Sequence, residues 1–345
     1  MRDKGSHSKP HHPGEFAIIA DILKATRHGP RVKIGIGDDC AALDVRGDKL
    51  CLVTTDMLLE GTHFLLARTP LPPATARWPV EVTRATVFQV GWKAITCSVS
   101  DIAAMGCVPT ATVVSVGFSA DTCMAFAKGL HRGLREACAR YGVELVGGDI
   151  TAWDQPMAIS VTVLGRDAGL KPLTRSGARV GDRILVTGAL GGSILGRHLT
   201  FEPRLNEALV LNRRFKIHAM IDISDGLSSD LGHIAEESGV GAVVDAERVP
   251  ISSACRRLAS KTGRPPLEHA LSDGEDYELL FTASRPVAAR LVATQPLGAP
   301  VTDVGEIVAG REVLLRSADG SLRPLKPSGY EHLKATKKGS ELFSP

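Results

Sequence analysis

The sequence predicts an α/β (α+β) protein of two domains, built from mixed sheets flanked by helices. Three observations carry that expectation. The chain is 345 residues long, enough to bury two ordinary cores. Short β-branched runs alternate with helix-period patterns in both halves. Between the halves lies "LTRSGARVGD", 173–182, a stretch dense in turn formers that marks a boundary. The resulting division is a tail over 1–14, a first domain over 15–172 and a second over 173–345.

The elements follow in order. "MRDKGSHSKPHHPG" has no apolar segment of the kind that leads a secretory signal, and it is expected to be a mobile tail. His7, His11 and His12 within it are expected to be solvated. A helix is expected from Glu15, with Phe16, Ile19 and Leu23 at helical spacing. "KIGI" and "KLCLVTTD" read as strands, the second ending at Asp56. After Pro70, Pro72 and Pro73, residues from about Val80 to Ala104 are expected to be helical. "ATVVSVGF", 111–118, reads as a buried strand. Phe126, Leu130, Leu134, Cys138 and Tyr141 then line one face of a helix. "VELVGG" and "AISVTVLGR" are further strands. In the second half "RILVTGALGGSILG" reads as strand, glycine turn and helix, and "AMIDISDGL", "GAVVDAERV" and "DYELLFTAS" continue the alternation.

Composition narrows the function. A net charge of +3, with only nine Phe, three Tyr and three Trp, offers no basic, aromatic-interleaved surface, so nucleic acid is not expected as a partner. No apolar run reaches membrane-spanning length, and no membrane is expected. Seven cysteines, odd in number and without a CxxC pair, argue against a zinc site or disulfide framework. They are expected to be reduced thiols in a cytoplasmic protein.

Six segments place carboxylates where an apolar run ends. They are "GIGDDCA" (Asp38, Asp39), "LVTTD" (Asp56), "SVSD" (Asp101), "LVGGD" (Asp149), "IDISDG" (Asp222, Asp225) and "LSDGED" (Asp273, Glu275, Asp276). Singly, such an Asp is a turn former or a helix cap. Together, elements packed in one sheet tend to bring their ends into a common crevice. Two like charges about 4 Å apart repel by roughly 4 kcal/mol at an effective dielectric near 20. A crowd of them must either hold protons or bind cations. Mg²⁺, which takes carboxylates together with substrate phosphates, is the expected remedy. Thr54, Thr55, Ser100 and Ser224 supply hydroxyls beside the carboxylates. The usual phosphate loops are missing: there is no G-x-x-x-x-G-K-[ST], and "TGALGGSILG" lacks G-x-G-x-x-G. Close packing is the simpler account of its glycines.

Taken in order, "GEF" (14–16), "GIGDDCA", "LVTTDMLLEGTHF", "SVSDIAAMG", "LVGGD", "LTRSGARVGD", "DISDGLSSDLGHIA" and "LSDGEDYELLFT" resemble the motif series of the thiamine-monophosphate kinase family. That family lies within the aminoimidazole ribonucleotide synthetase superfamily, and the resemblance runs from Gly14 to Tyr330. It implies the two-domain fold of that superfamily. The first domain would bind metal and ATP and dimerise, and the second would complete the site. It further implies phosphorylation of thiamine monophosphate by ATP, several Mg²⁺ ions and a homodimer. Carried over by position, Asp39, Thr54, Thr55, Asp56, Asp101, Asp149, Asp222 and Asp225 would be metal ligands. Gly148, Asp149, Arg175 and Ser224 would contact nucleotide, His63 and Glu275 would face the thiamine phosphate, and Asp225 and Arg175 would serve catalysis.

The residues alone leave plainer roles open. His63 reads equally as a half-buried histidine, Glu275 as a turn cap and Arg175 as a surface residue, although an Arg at a hinge suits a bidentate grip on phosphate. Two positions depart from the family pattern. Ser98 stands in "SVSD" where the family usually carries Asn, and "LKPSGYEHL" has Pro327 where an aromatic often precedes the "GY" pair. Other superfamily enzymes are expected to show a reactive cysteine near the N-terminus or at the C-terminus, and neither is present here. A binding protein without turnover is the remaining alternative.

Overall fold

The computed structural model describes residues 15–46, 49–69 and 82–327. The tail over 1–14 and Tyr330 lie outside the described residues. The chain forms two mixed sheets, each with its own apolar core.

The first sheet has six strands: β1 (Val32–Ile34), β2 (Ala41–Arg46), β3 (Lys49–Leu59), β4 (Val108–Ser119), β5 (Glu144–Trp153) and β6 (Ala158–Arg166). Their order is β1-β2-β3-β6-β4-β5, with β4 and β5 parallel and the other pairs antiparallel. Alternation sorts the side chains onto two faces. Leu52, Thr54 and Leu58 of β3, Val114 and Val116 of β4, and Ile159, Val161 and Val163 of β6 turn inward and are buried. Helices α2 (Val87–Ala104) and α3 (Met124–Tyr141) accompany this sheet, and α1 (Glu15–Ala25) precedes it. Gly91 and Gly133 let α2 and α3 approach closely. A Cβ at Gly133 would stand 2.0 Å from Phe88 O, and one at Gly91 2.4 Å from Leu130 O.

The helix expected from Val80 begins instead at Val87. Thr86 stops it with a reciprocal cap, since its hydroxyl accepts from Gln89 N and the Gln89 side chain accepts from Thr86 N. Residues 82–86 are therefore not helical, and 80–81 lie outside the described residues.

The second sheet contains β7 (Arg183–Thr187), β8 (Ile217–Asp222), β9 (Gly241–Asp245), β10 (Leu279–Ala283), β11 (Val301–Val308), β12 (Val313–Arg316) and β13 (Leu322–Pro324). The order is β13-β12-β9-β11-β7-β10-β8. Helices α4 (Leu205–Arg214), α5 (Leu227–Ser238), α6 (Ser253–Thr262), α7 (Pro266–Ser272) and α8 (Arg285–Thr294) pack around it. "TGALGGSILG" does not open into the expected α-helix. Gly191, Gly192 and Gly196 all take positive φ, so the segment forms one 3₁₀ turn, Ser193–Leu195, and a second, Arg197–Leu199, follows directly after it.

Strand β8 lies at the edge of the second sheet, and α2 packs against it as well as against β3 and β6. One helix thus spans the gap between the two sheets. That contact builds the site.

Candidate active site

On α2, Lys93, Cys97, Ser100 and Asp101 recur at helical spacing and share a face. Lys93, Cys97 and Ser100 are buried, and Asp101 is nearly so. Opposite them β3 contributes Thr54 and Asp56, two residues apart and so on one face of the strand. Strand β8 ends in Asp222, and the bend after β1 brings Asp38 and Asp39. Hydroxyls orient the carboxylates. Thr54 Oγ1 donates to Asp101 Oδ2, Ser98 Oγ to Asp56 Oδ2 and Ser100 Oγ to Asp222 Oδ2, each at 2.5 Å. Ser98, which departs from the family pattern, therefore holds a carboxylate through its hydroxyl.

The carboxylates feel one another. Asp101 is pushed well above the usual carboxylate range by burial and by the charges of Asp56, Asp222 and Asp39. Burial, followed by the charge of Asp39, pushes Asp222 up to about 7. Burial also raises Asp56 and Asp39, the latter against the opposing pull of Arg175. Four acidic groups from four separate segments thus share one field.

Arg175 sits in the link between the sheets. Its backbone N–H donates to Asp38 Oδ1 at 2.7 Å, and its Nη2 and Nε donate to Asp39 Oδ1 at 2.7 and 3.3 Å. Nη1 reaches Gly37 O at 3.3 Å. The guanidinium therefore pins the 37–39 bend, and these bonds occupy three of its five N–H groups. Asp39 Oδ2 is buried without a hydrogen-bond partner. An anionic oxygen in that position, among buried carboxylates and a threonine hydroxyl, is what a hard divalent cation takes as a ligand.

Asp225 follows β8 by three residues. It lies next to Asp230 and His233 of α5, with one ligand atom from each residue within 4.8 Å of the others. Asp230 Oδ2 accepts from Asp225 N and Gly226 N, fastening the turn that leads into α5. Burial, with Arg175 nearby, lowers His233 to about 4, so its ring is neutral near pH 7. Pro327 lies beside Gly232 of the same helix.

Other residues read from the sequence stand elsewhere. Thr55 points to the opposite face of the first sheet, where its Oγ1 donates to Val161 O. Asp149 is opposite Ser115, which is opposite Ser160, which is opposite Met57, so Asp149 belongs to that outer face too. Within this chain neither side chain joins the buried acidic cluster. Gly148 is needed for close packing, because a Cβ there would stand 1.9 Å from Val114 O. Asp273 is taken up by His269 and Arg264, and Asp276 by the backbone N–H of Gly191. Of the six acidic segments, "LSDGED" therefore contributes only Glu275 to this region.

Glu275 reaches the site through a residue that the motifs did not single out. Lys93, 1% exposed, donates from Nζ to Glu275 Oε1 at 2.9 Å and to His63 O at 2.8 Å. Its one sequence signal is its helical spacing, eight residues before Asp101 and so on the same face. His63 Nδ1 accepts from Leu59 N at 2.9 Å, which leaves the proton of a neutral ring on Nε2. Ser224 O accepts from Glu275 N at 2.7 Å, placing Ser224 and Glu275 side by side.

The chain is similar to known proteins over nearly its whole length. The family described as AIR synthase related protein, N-terminal domain, matches residues 37–166, and its C-terminal counterpart matches 179–316. The thiamine-monophosphate kinase of Rhodopirellula baltica is 38% identical over 325 residues, covering 92% of this chain and 97% of that protein. The thiamine-monophosphate kinase of Escherichia coli strain K12 is 34% identical over 342 residues, covering 92% and 98%. Among solved structures, AaThiL complexed with AMPPCP and TMP matches with a TM-score of 0.76 at 30% identity, covering 96% of this chain and 99% of that one. The hydrogenase maturation protein HypE in complex with ATP shares the fold at 20% identity and a TM-score of 0.65, covering 92% and 95%. Matched over nearly its whole length, the chain belongs to the thiamine-monophosphate kinase family of the AIR synthase related proteins.

Proposed function

We propose that this protein transfers the γ-phosphoryl group of ATP to thiamine monophosphate, giving thiamine diphosphate and ADP, and that it requires Mg²⁺. The observation that carries the proposal is the convergence of Asp39, Asp56, Asp101 and Asp222, with Thr54 among them and Asp225 beside them. Asp39, Thr54, Asp56, Asp101, Asp222 and Asp225 would hold the metal ions. Bound there, Mg²⁺ supplies charge neutralisation for the transferring phosphoryl group.

The chain's own residues do the rest. The acceptor is a phosphate oxygen, already anionic at neutral pH, so no protein base is needed to generate the nucleophile. That oxygen forms the new P–O bond in line as the bond from the γ-phosphorus to the ADP oxygen breaks. Arg175 keeps two N–H groups for phosphate oxygens while holding Asp39 in place. Ser224 would line the nucleotide side; Gly148 and Asp149, on edge strand β5 away from the acidic cluster, would reach a nucleotide only across the proposed dimer interface. His63, with its proton on Nε2, and Glu275 form the acceptor side, where a carboxylate suits an amino group such as that on the thiamine pyrimidine. Catalysis then rests on positioning and electrostatics.

A homodimer belongs to the same proposal. The outer face of the first sheet carries Met57 at 59% exposure, Val113 and Leu164. An apolar sheet face of this kind marks an interaction surface. A second copy covering it would also enclose Thr55 and Asp149. No helix among the described residues is long and apolar enough to cross a membrane. None of the seven cysteines forms a disulfide, which suits the reducing cytoplasm.

The test is a coupled assay of ADP release with and without thiamine monophosphate, repeated over a panel of phosphorylated acceptors. The proposal requires ADP and thiamine diphosphate to appear together in equal amounts. ADP release indifferent to the acceptor, or binding without turnover, contradicts it.

A further inference from the structure

Helix α2 buries an ammonium at the junction of the two sheets. Lys93 is 1% exposed and Glu275, its partner, 14%. An ammonium taken out of water needs both a counter-charge and hydrogen bonds, and Lys93 has Glu275 Oε1 and His63 O. The two partners come from opposite halves of the chain. His63 closes the turn that follows β3, where Thr62 N and His63 N both donate to Leu59 O. Glu275 belongs to a loop held in an unusual backbone conformation, with φ of +73° at Gly274, +55° at Glu275 and +49° at Tyr277. Non-glycine residues in that region carry about 1–3 kcal/mol of strain each and persist only where their surroundings fix them. The fixings are visible. Glu275 N donates to Ser224 O at 2.7 Å and Tyr277 N to Ile223 O at 2.8 Å, so the loop is fastened to the segment that leads into Asp225. Tyr277 stacks on Phe201 with ring centroids 3.7 Å apart, and its hydroxyl lies 3.1 Å from Cys97 Sγ, one turn along α2 from Lys93.

We infer that Lys93 is a positioning residue for the acceptor: by bonding His63 and Glu275 at once, it locks the two acceptor-side residues into one wall, whereas backbone bonds that do not involve Lys93 fasten the loop to the Ser224–Asp225 turn. The inference rests on reading His63 and Glu275 as the acceptor side. An acceptor phosphate must be aligned in line with the γ-phosphorus, and a misplacement of about 1 Å costs on the order of 10²-fold in rate. The nucleotide side, built around Asp39, Asp56 and Asp101, makes no hydrogen bond to Lys93. Loss of Lys93 should therefore be felt by one substrate only.

The experiment is steady-state kinetics on full-length Lys93→Met, Glu275→Gln, His63→Ala and the double variant Lys93→Met/Glu275→Met, each with its thermal midpoint. Lys93→Met is expected to lower kcat/KM for thiamine monophosphate on the order of 10²-fold, with the KM for ATP unchanged. The double variant removes both buried charges. It is expected to recover the thermal midpoint without recovering acceptor kinetics, which keeps the test open even where the single variant folds poorly. Recovery of acceptor kcat/KM in the double variant would show that the pair is only structural and overturn the inference. If Glu275→Gln and His63→Ala impair use of the acceptor while Lys93→Met does not, the inference about Lys93 falls alone. If neither partner's substitution affects the acceptor, the reading beneath it falls too.

Discussion

Asp222→Asn separates the cost of gathering buried charge from its use. In the fold Asp222 is held at about 7 instead of 3.8, chiefly by burial and next by Asp39. A carboxyl whose folded pKa is raised contributes stability fully below its unfolded value, and that contribution is lost as pH rises through the folded value. Without metal, by pH 8 the fold carries a charged Asp222 at a penalty on the order of 4 kcal/mol. Asparagine keeps the volume and an oxygen to accept from Ser100 Oγ, which now sits 2.5 Å from Asp222 Oδ2. The substitution therefore removes charge with little change in packing. For a chain of this length the unfolding entropy is about 0.7 kcal/mol/K, so relief of that penalty raises Tm by roughly 5 °C if the chain unfolds cooperatively. Scanning calorimetry at pH 8 in EDTA should find the variant more stable than wild type. Saturating Mg²⁺ should narrow or reverse the order, because the wild type gains more from the cation. A variant less stable than wild type in EDTA, with an equal response to Mg²⁺, would refute this account of the cluster.

Further outcomes follow from the same geometry. In EDTA the Tm of wild type should fall between pH 5 and 8 as Asp222 and its neighbours lose protons, and Mg²⁺ should flatten that slope. Arg175→Lys loses the planar fork on Asp39 and its phosphate-facing N–H groups, and kcat should drop on the order of 10²-fold with the fold retained by circular dichroism. Asp225→Asn should also lower kcat by orders of magnitude while leaving Tm nearly unchanged; undiminished turnover would remove Asp225 from the site. Gly148→Ala forces a Cβ against Val114 O, destabilising β5 by about 1–3 kcal/mol. Sedimentation should then show the proposed homodimer weakened.

Much of this arrangement is legible in the residues. The end of β8 could be read from the apolar run stopping at Asp222, and α3 from its apolar stripe; β3, expected to stop at Asp56, runs on to Leu59 because Met57, Leu58 and Leu59 keep pairing with β6. The acidic segments announce themselves by repetition. What local pattern does not contain is the pairing between distant segments. That Thr55 faces away from Thr54 and Asp56 follows from strand alternation alone; local pattern does not show which of the two faces is covered, since that depends on the packing of α2 against β3. Nor does "LSDGED" reveal that Asp273 and Asp276 are taken up by His269 and Gly191, since those bonds depend on how α7 and the glycine turn pack. Lys93 was the hardest to see. A single lysine in "VGWKAIT" ordinarily marks the solvated side of a helix, and only the docking of the Glu275 loop buries it. The apolar run from Val80 predicts an earlier start for α2 than the one set by the reciprocal cap at Thr86.

Anomalous diffraction from crystals grown with Mn²⁺ and a non-hydrolysable ATP analogue bears most directly on the central claim, that distant carboxylates converge to seat cations under a nucleotide's phosphates. Peaks within bonding distance of Asp39, Asp56, Asp101 or Asp222, and of the phosphate oxygens, are the result expected. Nucleotide bound elsewhere, or a carboxylate cluster without metal at saturating Mn²⁺, would contradict it.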